Sequence, residues 1–129
     1  KDFGRAAARI DDAANYLPAR LTALLMALAA CIPFRQGKSA RNLKEELRFI
    51  RRYGRMHASP NSGYPEAALA GILDCRFGGS HHYFGEYCFK PYIGNRLRPL
   101  TTTDMQQAVA VNWRAEILMI LTGILLYLL

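Results

Sequence analysis

Apolar positions at the start of the chain recur at helical spacing. Phe3, Ala6, Ala7, Ile10, Ala14 and Leu17 fall mostly three or four residues apart, which predicts an amphipathic helix and not a strand. Arg5, Arg9, Asp12 and Tyr16 occupy the other side, with Arg9 and Asp12 close enough along a helix to pair. Asp11 and Asn15 form a second polar column. Pro18 lacks an N–H and predicts a kink near Leu17. Leu21 to Phe34 then runs for fourteen residues without a charge. As helix this run spans about 21 Å, short of the ~30 Å hydrocarbon core of a bilayer. Joined to the residues before Pro18 it is long enough to cross, and Arg20 then snorkels or faces a polar interior.

The middle of the chain has a different pattern. Arg35, Lys38, Arg41, Lys44, Arg48, Arg51, Arg52 and Arg55 face only Glu45 and Glu46 over residues 35–58. Leu43, Leu47 and Ile50 recur at i, i+4 and i+7, so Ala40–Tyr53 is expected to be an amphipathic basic helix. Ser59-Pro60-Asn61-Ser62-Gly63-Tyr64-Pro65 carries turn chemistry, and Pro65 suits the first position of a helix over Pro65–Leu73. Residues 76–99 combine glycines with Phe77, Tyr83, Phe84, Tyr87, Phe89 and Tyr92; periodicity leaves loop and short hairpin both open. Thr101 followed by Asp104 resembles a helix N-cap with a carboxylate in the favourable first turn. Ile117–Leu129 is again uncharged. Together with Met105–Glu116 it makes a helix of about 25 residues, near 38 Å.

These elements predict a mainly α-helical integral membrane protein fragment. Residues 1–34 form an amphipathic helix leading into a membrane helix. Residues 35–100 form a basic, loop-rich cytoplasmic segment holding the Ser-Pro-Asn loop and the Gly/aromatic-rich loop. Residues 101–129 form a C-terminal membrane helix. Composition sharpens this picture. A net charge of +7 over 129 residues, with 51% hydrophobic side chains, excludes a disordered or low-complexity chain. Three Cys argue against a disulfide-stapled secreted scaffold. The chain opens on Lys1 with helical spacing from its first residues, so a C-terminal piece of a longer protein is expected, without a visible signal peptide.

Several stretches carry residues that suggest particular chemistries. Gly37-Lys38-Ser39 resembles the tail of a phosphate-binding loop, but Ile32 stands where its first glycine belongs and no strand precedes it, so a basic helix lead-in is the better reading. Cys75, His81, His82 and Cys88 suggest zinc, yet five residues separate each Cys from its nearer His, wider than structural zinc pairs. A buried cysteine or two and a polar His pair in a loop is the simpler expectation. The basic stretch has three possible uses: nucleic acid, the cytoplasmic side of a membrane, or a phosphate-bearing ligand. The flanking apolar runs favour the second, with which the third is compatible. Asp11 and Asp12 are adjacent and point about 100° apart on a helix, so their spacing does not make a catalytic carboxylate pair. Asp12 is most simply a partner for Arg9. Asp11 and Asn15 share a face close to the membrane, where a carboxylate and an amide are costly unless paired or functional. The Ser59–Glu66 stretch has the small residues of an anion-binding loop ahead of a helix, with Glu66 in its first turn.

Three motifs in order resemble one known family. Ala8-Arg9-Ile10-Asp11-Asp12-Ala13-Ala14-Asn15-Tyr16-Leu17-Pro18-Ala19-Arg20-Leu21-Thr22 is similar to the signature of the adenosylcobinamide-phosphate synthase family of cobalamin biosynthesis. His57-Ala58-Ser59-Pro60-Asn61-Ser62-Gly63-Tyr64-Pro65-Glu66-Ala67-Ala68 resembles a second of its segments. Gly78-Gly79, Tyr83-Phe84-Gly85 and Lys90-Pro91-Tyr92-Ile93-Gly94 resemble its later glycine-rich elements. The resemblance covers nearly the whole chain and only the C-terminal part of the family. It implies an integral enzyme of the prokaryotic inner membrane, multi-pass, with the basic segment cytoplasmic. The implied reaction joins a carboxylate of adenosylcobyric acid to the amine of aminopropanol or its phosphate, with ATP and Mg²⁺ as implied cofactors, membrane lipid as surroundings and no nucleic acid. On the motif positions, Asp11 and Asp12 would hold Mg²⁺ or the incoming ammonium, supported by Asn15. Arg20 would pair with a phosphate or with Asp12. Ser59, Asn61 and Gly63, with Tyr64 beside them, would bind the anion. Glu66 would act as base or metal ligand, and His57 would transfer a proton. The alternative is a distant relative of the family, a membrane signalling modulator of β-lactamase induction without catalysis.

Overall fold

Pro18 decides where the first helical stretch breaks. The computed structural model describes residues 3–33 and 42–129. Within them the stretch divides into α1 (Phe3–Ala14) and α2 (Tyr16–Ala30). The interruption falls at Asn15, not near Leu17 as the sequence pattern suggests. The reason is geometric: Pro18 has no N–H for the carbonyl of Ala14, four residues back, and its ring crowds that group. The neighbouring turns persist, since the Asn15 N–H donates to Asp11 O at 2.9 Å and the Ala19 N–H to Asn15 O at 3.1 Å. Gly4–Ala30 thus remains one apolar helical stretch of 27 residues, long enough to cross a membrane. The apolar stripe predicted over residues 3–17 is not buried here: Ile10 in α1 and Leu17 at the start of α2 are exposed.

The face α2 buries is built from small side chains. Ala23, Ala27 and Ala30 join Leu25 and Met26 in a core with Ile50, Ala68, Ile72, Val111 and Ala115. Small residues let helix backbones approach closely where apolar surroundings give little other driving force. Next along the described chain is α3 (Leu43–Tyr53). Asn42 caps it by accepting the Lys44 N–H at 3.0 Å. Glu45 and Glu46 lie in its first turn and Arg51 and Arg52 in its last, each favourable to the helix dipole. The predicted stripe Leu43–Leu47–Ile50 is turned: Glu46, Ile50 and Tyr53 are buried and Leu47 is partly exposed. The glycines and alanines of the next helix explain this. That helix, α4 (Gly63–Leu73), buries Gly63, Ala67, Ala68, Ala70 and Gly71. It offers room for the long Glu46 side chain against Gly71 and for Tyr53 against Ala67 and Ala70. α4 is therefore the central element, in contact with α2, α3, α5 and the hairpin.

The glycine- and aromatic-rich stretch is a hairpin. Strands β1 (Arg76–Tyr83) and β2 (Glu86–Gly94) pair antiparallel, with Phe77 opposite Ile93 and Tyr83 opposite Glu86. Phe84 and Gly85 both take positive φ, 50° and 84°, as the tightest hairpin turn requires. The register slips between Phe77 and Gly79, where Gly78 lies against Pro91, a residue with no N–H for the ladder. Ile93 is buried at the base, and everything from Ser80 to Tyr92 is exposed.

The last helix, α5 (Thr102–Leu128), starts as the sequence predicts. Thr101 and Asp104 form a reciprocal capping box. Its first half packs on α2 and α4 through Gln107, Val111 and Ala115; Ile117 and the residues from Met119 onward are exposed. Arg114, the one cation of α5, donates to the carbonyls of Ile32 at 2.8 Å, Pro33 at 3.2 Å and Ala29 at 3.4 Å. It thereby satisfies the open carbonyls at the end of α2, where a cation is favoured. The result is mostly helical, with a long apolar helix towards each end and a polar helix-and-hairpin segment between them.

Candidate functional site

The break at Asn15 and the Ser-Pro-Asn loop meet, and two clefts lie at their junction. Asn61, which is almost fully buried, holds the junction together. Its Nδ2 donates to the backbone carbonyl of Asp12 at 2.8 Å, and its Oδ1 accepts from Arg20 Nη1 at 3.1 Å. One amide side chain thus ties the loop to α1 and α2 together.

On one side lies a cleft of about 310 Å³ lined by Asp11, Asp12, Asn15, Ser59, Asn61 and Ser62, among others. Asn15 Nδ2 donates to Asp11 Oδ1 at 2.9 Å and orients that carboxylate. Among the described residues neither Arg9 nor Arg20 pairs with Asp12, contrary to both sequence expectations; Arg20 is directed at the loop instead. The adjacent carboxylates, set apart by their helical spacing, nevertheless face one cleft. The wall opposite them carries hydroxyl and amide groups.

On the other side, a cleft of about 410 Å³ is lined by Tyr16, Arg20, Arg55, His57 and Tyr64, with Ala58 and Pro60. The Arg20 guanidinium lies 3.4 Å from the centre of the Tyr16 ring and 4.2 Å from that of Tyr64. It also donates to Tyr16 O at 2.7 Å and Pro60 O at 3.4 Å. The Arg55 guanidinium near Tyr64 holds that phenol below its ordinary pKa, and the phenol lifts the guanidinium's. The His57 Nδ1 accepts the Ser59 N–H at 2.9 Å, so the neutral ring carries its proton on Nε2. That nitrogen lies 3.8 Å from Glu66 Oε2.

The loop itself is internally bonded. Ser59 Oγ accepts the N–H groups of Asn61 at 3.3 Å and Ser62 at 3.4 Å, and the Tyr64 N–H reaches Asn61 O at 3.2 Å. With the Ser59 N–H on His57, these amides already have acceptors, so the backbone cradle expected for an anion is not formed by them. Gly63 lines neither cleft. It is buried where a Cβ would strike the Gly54 carbonyl and lie 2.9 Å from His57 Cβ. Gly63→Ala is expected to destabilise the detergent-solubilised protein by about 1–3 kcal/mol through overpacking. Gly123→Ala, with nothing within 4 Å of its Cβ, should be neutral or stabilising in the same thermal unfolding comparison.

The sequence-selected residues therefore divide between the clefts. Asp11, Asp12, Asn15, Ser59 and Asn61 line the first; Arg20, His57 and Tyr64 line the second, with Glu66 beside His57. Sequence reasoning missed Arg55, Tyr16 and Ser62. Arg55 was one of many cations in its run, and only its place two residues before His57 sets it apart. The Gly37-Lys38-Ser39 feature, and the start of the predicted basic helix at Ala40, lie outside the described residues. Among the described residues no group of three or more His, Cys, Asp or Glu side chains converges as a metal cage. Cys75 lies at the hairpin base and His81 is opposite Cys88 near the tip, about 20 Å along the strand. Burial also pushes the Cys75 thiol up, away from the thiolate a metal needs. Two carboxylates among hydroxyl and amide oxygens do fit Mg²⁺, which is commonly held by one or two carboxylates together with substrate phosphates.

Fold and site together define a helical, membrane-associated protein with a polar double cleft where an interrupted apolar helix meets a buried loop. The chain belongs to the CobD/Cbib protein family, whose model matches residues 1–112. It is 48% identical over 119 residues to the cobalamin biosynthesis protein CobD of Geobacter metallireducens, covering 92% of this chain and 36% of that protein. It is 42% identical over 114 residues to the cobalamin biosynthesis protein CobD of Klebsiella pneumoniae, covering 88% and 34%. With the cobalamin biosynthesis protein CbiB of Salmonella typhimurium it shares 39% over 116 residues, covering 90% and 34%. The chain thus spans about a third of the length of these relatives. No solved structure matches it.

Proposed function

We propose that this protein acts in cobalamin biosynthesis by forming an amide between a carboxylate of adenosylcobyric acid and the amine of aminopropanol or its phosphate. The observation that carries this reading is the Asn61 junction. Asn61 lines the cleft of Asp11, Asp12 and Asn15 and accepts a hydrogen bond from Arg20, which lines the cleft of His57 and Tyr64, so the two groups lie at one junction. An amide-forming site needs such a pairing of opposite charges. The amine arrives as an ammonium, which carboxylates hold. The acid arrives as an anion, and any phosphate with it, which guanidiniums hold.

The bond that forms is between the amine nitrogen and the carboxyl carbon, and the carbon–oxygen bond to the leaving group breaks. The ammonium must first lose a proton, because only the free amine has a lone pair to donate. Glu66 Oε2 lies 3.8 Å from His57 Nε2, and the pair would receive and pass on that proton. Asp11, oriented by Asn15, would position the amine. When bound, ATP would supply the energy that activates the carboxyl and Mg²⁺ the charge that offsets phosphoryl oxygens; Asp11 and Asp12 would hold either that ion or the incoming ammonium. The protein would lie in the prokaryotic inner membrane as a multi-pass enzyme, with the Arg-rich α3 segment on the cytoplasmic side, since Lys and Arg flanking membrane helices mark that side.

The test is direct. The full-length protein in detergent is incubated with adenosylcobyric acid, aminopropanol or aminopropanol phosphate, Mg²⁺ and ATP, and the product is sought by mass. An amide that appears only with ATP is the expected result. A folded protein that makes no amide from either amine would overturn the reading and favour the non-catalytic signalling relative.

A further inference from the structure

We infer that the cleft between Arg20 and Arg55 is a separate phosphoryl-binding subsite, with Arg20 as its fixed floor and Arg55 as the mobile arm that closes on the anion. The ligand class is a phosphate monoester or the terminal phosphate of a nucleotide. The inference deepens the amide-forming reading by dividing the two clefts between opposite charges, and it rests on that reading for its place in a reaction.

The argument begins with the charge balance of the cleft. Arg20 makes its hydrogen bonds to Tyr16 O, Asn61 Oδ1 and Pro60 O, all neutral acceptors. Its two flanking rings hold the guanidinium plane without neutralising it. Arg55 lines the same cleft as Arg20 and Tyr64. Among the described residues no acidic side chain lines this cleft. Glu66 lies outside its lining, with Oε2 3.8 Å from His57 Nε2. Two guanidiniums therefore line one cleft, Arg20 over the Tyr64 ring and Arg55 with it, without a described carboxylate in the lining. Like charges gathered this way are unfavourable unless an anion completes the group.

The second line is geometry. Arg20 is fixed by three acceptors and two rings, so its remaining N–H directions are set before any ligand arrives. Pre-set donors lose little freedom on binding. Arg55 is exposed and lines the cleft, so its guanidinium has room to turn onto an anion bound there. The His57 Nε2–H adds a third donor at the edge. A tetrahedral phosphate dianion uses several forked donors at once, whereas a lone carboxylate uses one fork. A space of about 410 Å³ admits a small phosphate ester. The third line is exclusion: the amides of Ser59, Asn61, Ser62 and Tyr64 are already bonded within the loop, so the loop is a wall of the subsite and not its cradle.

The test reads binding, not turnover. The full-length protein in detergent is titrated with inorganic phosphate by calorimetry. In parallel, arginine modification by phenylglyoxal is mapped by peptide mass with and without phosphate. Phosphate is expected to protect Arg55, and Arg55→Gln to weaken phosphate binding at least tenfold. Arg55→Lys should recover only part of the affinity, because it restores the charge without the fork. Arg55 is exposed, so these variants should fold, and unchanged thermal unfolding checks that. Competition names the source: displacement of phosphate by aminopropanol phosphate but not by ADP assigns the subsite to the amine substrate, and the reverse assigns it to the nucleotide. Phosphate binding that survives Arg55→Gln, with Arg55 modified equally in its presence and absence, overturns the inference. Phosphate binding through Arg55 in a protein that makes no amide would keep the subsite and remove the amide-forming reading, so the two failures are distinguishable.

Discussion

Asp11→Ala is expected to abolish corrinoid amidation, a loss of at least about a thousandfold, while the protein still sediments with membranes. A thousandfold corresponds to about 4 kcal/mol of transition-state stabilisation. The structure makes this substitution informative because Asp11 contributes little to the fold. It is exposed, and its side chain makes one hydrogen bond, to Asn15 on the next turn of its own helical stretch. An exposed pair of that kind contributes about 0.2–0.5 kcal/mol. Alanine is also the better helix former. A large fall in activity with unchanged unfolding would therefore report chemistry and not structural damage. Asp11→Asn separates the possibilities further: it keeps the hydrogen bond to Asn15 and removes the charge, and should be nearly as inactive as Asp11→Ala if the charge holds the ammonium or the metal. Full activity in either variant would remove Asp11 from the site.

Asp104→Ala should have the largest effect on stability, about 3–5 kcal/mol, with a fall of roughly 10 °C in the unfolding temperature of the detergent-solubilised protein. Asp104 is almost fully buried and accepts from Arg98 Nη1 and Nη2, both at 2.7 Å, from the Thr101 N–H at 2.8 Å and from its hydroxyl at 2.9 Å. Arg98 in turn donates to Leu73 O at 2.6 Å and Asp74 O at 3.0 Å. The pair therefore joins the end of α4 to the start of α5. Removing the carboxylate strands a partly buried guanidinium and uncaps α5 in one step. The double variant Asp104→Leu with Arg98→Leu should be less damaging than the sum of the singles, because no unpaired charge is left. Strict additivity would mean that the two residues act independently.

Much of the architecture is legible from local pattern. The capping box at Thr101 needs only residues three apart, and both long apolar stretches need only runs of side chains without charge. The motif stretches around Asp11 and Asn61 are legible as candidate sites through their resemblance to the family, since their polar residues alone suit a helix face and a turn equally well. The hairpin was undecided from its sequence, since glycines with aromatics suit a loop as well as a strand pair. Only the pairing of Phe77 with Ile93, and positive φ at Phe84 and Gly85, resolved it. The buried face of α3 departs from its apolar periodicity at Leu47, because periodicity assumes that the core takes the most apolar stripe, whereas Ile50 and Leu43 do meet the core. Here Gly71 on α4 leaves room for Glu46, while Leu47 lies beside Arg51 and Arg55 at the surface.

The sequence by itself determined the helices, the capping box at Thr101, that Pro18 breaks the first helical stretch, and the residue types of the candidate site. Each of these depends on interactions within about four residues, where chain connectivity already holds the partners together. Only the tertiary structure decided that Asn61 reaches the carbonyl of Asp12 across 49 residues, that Arg20 turns to the loop instead of to Asp12, and that Arg55 is the cation of its run that lines the second cleft. Those choices follow from how closely α2, α3 and α4 approach through their alanines and glycines. That closeness belongs to the packed assembly, and no single stretch of the sequence carries it.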